Sequence, residues 1–121
     1  MLQKDDHEHP VPEPWRSMFK EIAGAFATGD FQLRNARVEG VEPVERGIAD
    51  HIAANVAAYG RPLAHLNDAT WERSVYRWMD GYWQVLVDLT TVGEPVSDLT
   101  LHARLDEPDG CRLTIESVHV P

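Results

Sequence analysis

The carboxyl-terminal half of the chain alternates between hydrophobic and polar residues, the spacing of β-strands that bury one face. Four such runs can be delimited: Arg73–Met79, Tyr82–Thr91, Ser97–Leu105 and Cys111–Val120. Asp80 and Gly81 separate the first two runs. This dipeptide suits a tight type I′ turn, because both central residues of that turn need positive φ. The pattern therefore predicts an antiparallel meander.

Hydrophobic positions in the amino-terminal half follow a helical period instead. One helix is predicted over Pro14–Thr28 and a second over Val44–Tyr59. Gly29 and Gly60 follow them at positions that suit a carboxyl-terminal cap. The apolar stripe of the first helix consists of Trp15, Met18, Phe19, Ile22 and Phe26. Each helix thus has one face to bury.

The register fixed by the Asp80-Gly81 turn sorts the meander into two faces. The apolar face is predicted to carry Tyr76, Trp78, Trp83, Val85, Val87, Leu89, Leu99, Leu101, Ala103, Leu105, Leu113 and Ile115. These observations predict an α+β fold with two helices packed on one face of a four- or five-stranded antiparallel β-meander. The opposite, mostly polar face is expected to remain open to solvent.

The length of 121 residues predicts a single domain, placed at residues 12–121. Residues 1–11 are polar, end near prolines and are expected to form a flexible tail. The tail contains the run Asp5-Asp6-His7-Glu8-His9, but nothing in it fixes a ligand geometry, so no metal and no cofactor are expected.

The charge balance of 11 basic and 20 acidic residues gives a formal net charge of −9. Affinity for nucleic acid and for anionic membranes depends on basic residues, so both classes of partner are disfavoured. A basic protein partner is favoured instead. The single cysteine excludes an internal disulfide, and no apolar run resembles a signal peptide or a membrane span, so a cytoplasmic location is expected.

Candidate chemistry is sparse. The serines and histidines lie in no nucleophile-elbow context, and the glycines form no phosphate-binding loop. A non-enzymatic, protein-binding role is therefore predicted, with the polar sheet face as the docking surface. The candidate partner-binding residues are Asp88, Asp98, His102, Arg104, Glu116 and Trp71.

Two of these candidates carry specific expectations. Asp88 and Asp98 point to the same face of adjacent strands, close enough for the pKa of one carboxyl group to rise. Trp71 follows a turn, and burial is expected for so large a ring. If Trp71 lay at the surface instead, it would be an anchor for the partner.

Several segments resemble a family of small stand-alone bacterial domains of unknown function. The similar segments are residues 9–16 (HPVPEPWR), 40–44 (GVEPV), 74–78 (SVYRW), 83–89 (WQVLVDL), 97–99 (SDL) and 118–121 (VHVP). The resemblance implies no activity and no catalytic residues. Small acidic one-domain bacterial proteins of this kind are similar to immunity proteins that neutralise secreted toxins.

Two further hypotheses stay open beside toxin neutralisation. The first is a small-ligand-binding domain with a pocket between helices and sheet, lined by Trp78 and Trp83. The second is a homodimer built edge to edge or through the polar face, which light scattering at two concentrations would test.

Overall fold

The structure is a computed structural model that describes residues 2–106 and 112–121. Its helices are α1 (Glu13–Ala27), α2 (Arg46–Tyr59) and a 3₁₀ helix (Asp68–Glu72). Its strands are β1 (His9–Pro10), β2 (Val75–Trp78), β3 (Tyr82–Asp88), β4 (Thr100–Asp106) and β5 (Leu113–His119). The strands form one antiparallel sheet in the order β1-β2-β3-β4-β5. The predicted α+β fold is confirmed, while the predicted loop at 107–110 and the start of the last run at Cys111 lie outside the described residues.

Helix α2 ends at Tyr59 as predicted, and α1 ends at Ala27, one residue before the predicted Thr28. Gly29 (φ +86°) follows α1, and Gly60 (φ +85°) caps α2 in the left-handed conformation that glycine adopts without a Cβ clash. The second helix begins at Arg46 rather than Val44. The Val44 N–H donates instead to the Gln32 carbonyl at 3.1 Å, which holds Val44 in the preceding segment.

The turn between β2 and β3 sets the predicted register. Asp80 and Gly81 both have positive φ (+61° and +133°). Trp78 therefore faces Trp83, and the other pairs of this hairpin follow as predicted. Every residue expected on the apolar face is buried except Trp78, which is half-buried. These residues share one hydrophobic core with the apolar stripes of α1 and α2.

The last strand departs from strict alternation. A β-bulge lies between His102 and Ala103, where Glu116 is the extra residue on β5. Beyond the bulge, Val118 turns into the core and is fully buried. Ser117 and His119 consequently move to the polar face, which we call the outer face.

The amino-terminal segment, which its composition predicts to be a flexible tail, contacts the sheet and the core. His9 and Pro10 form β1 and pair with Tyr76 and Val75 of β2. Val11 is buried in the core. Long-range packing onto an aromatic part of the sheet thus orders residues whose own composition is polar. Among the described residues, no helix is both long and apolar enough to cross a bilayer.

Candidate functional site

The outer face carries two neighbouring cross-strand rows of mostly polar side chains. Leu86, His102 and Ser117 lie side by side on β3, β4 and β5. Asp88, Thr100 and His119 form the next row. Thr100 Oγ1 lies 3.4 Å from Asp88 Oδ1, and Thr100 is buried although it lies on this face. Each row brings together residues that are up to 31 positions apart in the chain.

His102 and His119 form a stacked pair at the centre of these rows. Their ring centroids are 4.2 Å apart, with an interplanar angle of 16°. Ser117 Oγ and His119 Nδ1 are within hydrogen-bond distance at 2.9 Å. His102 Nε2 is buried and has no hydrogen-bond partner among the described residues. We call His102 and His119 the histidine pair.

Burial lowers the pKa of His102, and the charge that His119 can carry lowers it further. The native protein therefore takes up this proton less readily than the unfolded chain. As the pH falls through the unfolded value of about 6.5, the unfolded chain is stabilised and folding stability is lost.

The variant His102→Gln is expected to flatten this pH dependence. Between pH 7.5 and 5.5, its free energy of unfolding should fall less than that of the wild-type protein, as measured by urea denaturation at several pH values. His51→Gln, which changes an exposed histidine of α2, serves as the control and should keep the wild-type profile. If the free energy of unfolding fell equally with pH in the wild-type protein and in His102→Gln, His102 would not be the cause of the lost stability.

An acidic cleft of about 460 Å³ opens at the end of the outer face. It is lined by Ala69, Glu72, Arg73, Asp88, Val96, Ser97 and Asp98. Asp98 lies just before β4 and is exposed, and its backbone N–H donates to Tyr59 Oη at 3.2 Å. The structure thus brings Asp88 and Asp98 to one cleft, although Asp98 lies outside β4.

The pKa of Asp88 is raised, chiefly because burial disfavours the carboxylate. The charge of Asp98 adds to this rise as the smallest contribution. The hydrogen bond from Thr100 and the charge of Arg73 act in the opposite direction. The carboxylate of Asp88 is therefore incompletely compensated within the domain.

The other candidate residues differ in their surroundings. Arg104 Nε donates to Asp106 Oδ1 at 2.7 Å, and its guanidinium lies 4.0 Å from the centroid of the Tyr82 ring. Glu116 is exposed at the bulge. Both residues lie on the outer face but away from the acidic cleft.

Trp71 does not project from the surface. Its side chain is 6% exposed and belongs to the core, with Arg16 stacked 5.2 Å from the ring centroid. The expectation of burial is borne out, and the anchoring alternative is corrected. The 3₁₀ helix directs the ring inward against α1, where it offers little area to a partner.

The contact between Ser117 and His119 is half of a nucleophile–base arrangement. Among the described residues, however, no carboxylate is hydrogen-bonded to His119, so the third group that would orient the base is missing. No cluster of three or more potential metal ligands occurs in the described parts of the chain.

The pocket predicted between the helices and the sheet is filled. Val85, Val87, Ile22 and Ile52 are fully buried there. The space beside Trp78 and Trp83 is taken by the first residues of the chain, since Trp83 Nε1 donates to the Gln3 carbonyl at 3.0 Å. The structure thus gives no support to an enclosed small-ligand pocket at this position.

Sequence reasoning missed Ser117, His119, Thr100 and Arg73. The first two reach the outer face only through the bulge. Thr100 lies between Asp88 and His119 on neighbouring strands, and its burial is visible only in the structure. Arg73 lies two residues before β2 and lines the cleft from there.

The fold and the site define a small α+β domain with an open antiparallel sheet face and an acidic cleft at one end. The family model described as Domain of unknown function (DUF7668) matches residues 23–121, and the chain belongs to this family. This confirms the resemblance to a domain family of unknown function. Searches of curated proteins and of solved structures found no match.

Proposed function

We propose that this protein is a non-enzymatic protein-binding domain that docks a basic partner on its outer face. The observation that carries the proposal is the acidic cleft, where Asp88 and Asp98 line one recess at the end of an open sheet. Burial raises the pKa of Asp88, and a cation beside it would favour its carboxylate form. An arginine or lysine side chain from a partner would supply this cation, and arginine would add paired hydrogen bonds.

The rest of the outer face suits a protein rather than a small molecule. Val75, Tyr82 and Leu86 are half-buried and supply apolar area between charged groups. The histidine pair adds aromatic rings on this face, and His119 lies in the row that contains Asp88. Mixed apolar, aromatic and charged area of this kind is typical of transient protein interfaces. The net charge of −9 favours encounter with a basic surface.

A more specific proposal within this class is a toxin-neutralising immunity protein that acts in the bacterial cytoplasm. Its support is the small size, the acidity and the resemblance described above. Toxins that cleave nucleic acids need basic grooves to hold phosphate, and an acidic domain could mask such a groove. A neighbouring reading frame whose product is toxic alone, and harmless when this protein is co-expressed, would support it. A neighbouring product that stays toxic would count against it.

The docking proposal is tested by affinity capture from the native host. The immobilised wild-type protein is compared with Asp98→Asn and with the control Glu45→Gln, which removes the same charge from an exposed position at the start of α2. The expected result is a basic protein retained by the wild type and by Glu45→Gln, released by raised salt, and lost from Asp98→Asn. Equal retention by all three proteins would overturn the placement at the acidic cleft. Light scattering at two concentrations separates capture of a partner from self-association.

A further inference from the structure

An aromatic groove lies on the core side of the sheet, on the face opposite to the acidic cleft. It is formed by Trp15, Tyr76, Trp78 and Trp83. The rings of Trp78 and Trp83 are 4.8 Å apart at an angle of 59°, and Trp15 lies 6.2 Å from Tyr76. The chain's own amino-terminal residues occupy this groove. We call residues 2–8 the strap.

Two side chains of the groove bind the main chain of the strap. The Gln3 N–H donates to Tyr76 Oη at 3.0 Å, and Trp83 Nε1 donates to the Gln3 carbonyl at 3.0 Å. Both bonds involve backbone groups, so they do not depend on the side chain at this position. Another peptide that presents an N–H and a C=O in the same way would satisfy the same two groups.

Two rings of the groove contact a cation. Lys4 Nζ lies 5.0 Å from the ring centroid of Trp78 and 5.6 Å from that of Trp83. Both distances are within the range of cation–π attraction, which is strongest for tryptophan. The groove thus combines two backbone contacts with a site for an ammonium group. These are the elements of recognition for a lysine-bearing peptide.

Most residues of the strap are exposed. Gln3 and Lys4 are exposed, and only Leu2 packs against the core. The strap is anchored further along by His9, which stacks on Tyr76 at 5.3 Å and lies 2.8 Å from Asp5 Oδ1. Terminal segments with few buried contacts open at low free energy. The groove can therefore be vacated while the rest of the fold persists.

We propose that the aromatic groove is a binding site for an extended, lysine-bearing segment of a protein partner, and that the strap is its intramolecular competitor. The net charge of −9 favours a cationic segment here as well. Because the strap is tethered, it competes at an effective concentration in the millimolar range. A partner segment binds when its binding free energy exceeds that of the tethered strap, or when the strap has already left the groove.

The test uses the full-length chain and a synthetic peptide, Met-Leu-Gln-Lys-Asp-Asp-amide, which reproduces residues 1–6. The variant Gln3→Pro/Lys4→Ala weakens the strap, since proline lacks the N–H that Tyr76 accepts and alanine lacks the cation. The peptide is titrated while the indole N–H resonance of Trp83 is followed by NMR. The expected result is saturable binding to this variant, about tenfold tighter than to the wild-type chain. A peptide with glutamine in place of lysine should bind about tenfold more weakly.

Three comparisons decide the outcome. Trp83→Phe in the weakened-strap background should lose binding, whereas Asp98→Asn should leave it unchanged, because the acidic cleft lies on the other face. The third comparison uses the isotope-labelled wild-type chain, so it does not depend on whether a variant folds. Millimolar peptide should shift the amide signals of Gln3 and Lys4 toward those of a free strap. Absence of that shift, or equal binding of the lysine and glutamine peptides, would overturn the proposal. Neither result would bear on docking at the acidic cleft.

Discussion

Replacing Phe26 with alanine is expected to lower the free energy of unfolding by about 3–5 kcal/mol. The side chain is 2% exposed in the core, and its ring lies 5.4 Å from that of Phe31. Alanine would remove the transfer free energy of the ring and leave a cavity where α1 meets the core. Urea denaturation followed by tryptophan fluorescence measures the difference.

Val92→Ala is the matched control for this measurement. Val92 is 58% exposed, so its truncation should change the free energy of unfolding by less than about 0.5 kcal/mol. A loss below about 1 kcal/mol for Phe26→Ala would contradict the assignment of α1 to the core. It would mean that the first helix is not packed as described.

The variant Asp98→Ala is expected to weaken the complex with a basic partner by about 2–5 kcal/mol, which is about 30-fold or more in Kd. The carboxylate is exposed in the free protein and would be buried beside a partner cation in the complex. The bond from the Asp98 backbone N–H to Tyr59 Oη does not depend on the side chain, so thermal stability should stay almost unchanged. Calorimetric titration with the captured partner gives the affinity.

Glu45→Ala provides the comparison at equal net charge, because Glu45 is exposed and does not line the acidic cleft. It should reduce affinity only through long-range attraction, an effect that salt screens. If Asp98→Ala and Glu45→Ala weakened binding equally, the partner would be attracted by overall charge and not by the cleft. The proposed docking position would then be wrong.

The two proposed sites lie on opposite faces of the same sheet. The acidic cleft uses Asp88 and Asp98 beside the outer face, and the aromatic groove uses Trp78 and Trp83 on the core side. A partner could engage one site without covering the other. Variants at each site therefore separate the two kinds of binding in one set of samples.

The sequence by itself determined the layers of the fold and the face of each strand through β4. Alternation between polar and apolar residues is a local property, and the Asp80-Gly81 turn converts it into a register between β2 and β3. The alternating runs also predicted Asp88 and Asp98 on the same face of adjacent strands, and the structure brings both residues to one cleft. Glycines fixed the ends of both helices, because their left-handed conformation is local as well.

Only the tertiary structure decided the bulge at Glu116, the histidine pair and the strap. A bulge depends on how β5 fits against β4. Alternation along β5 alone predicts a regular outer-face position for Glu116 and does not place Ser117 and His119. Two hydrogen bonds hold the strap, and the residues that they join are separated by 73 and 80 positions in the chain. No local pattern encodes contacts over such separations. Trp71 likewise turns inward because α1 offers it a surface to pack against. Local periodicity reports which face a residue prefers, whereas these features depend on which distant residues meet.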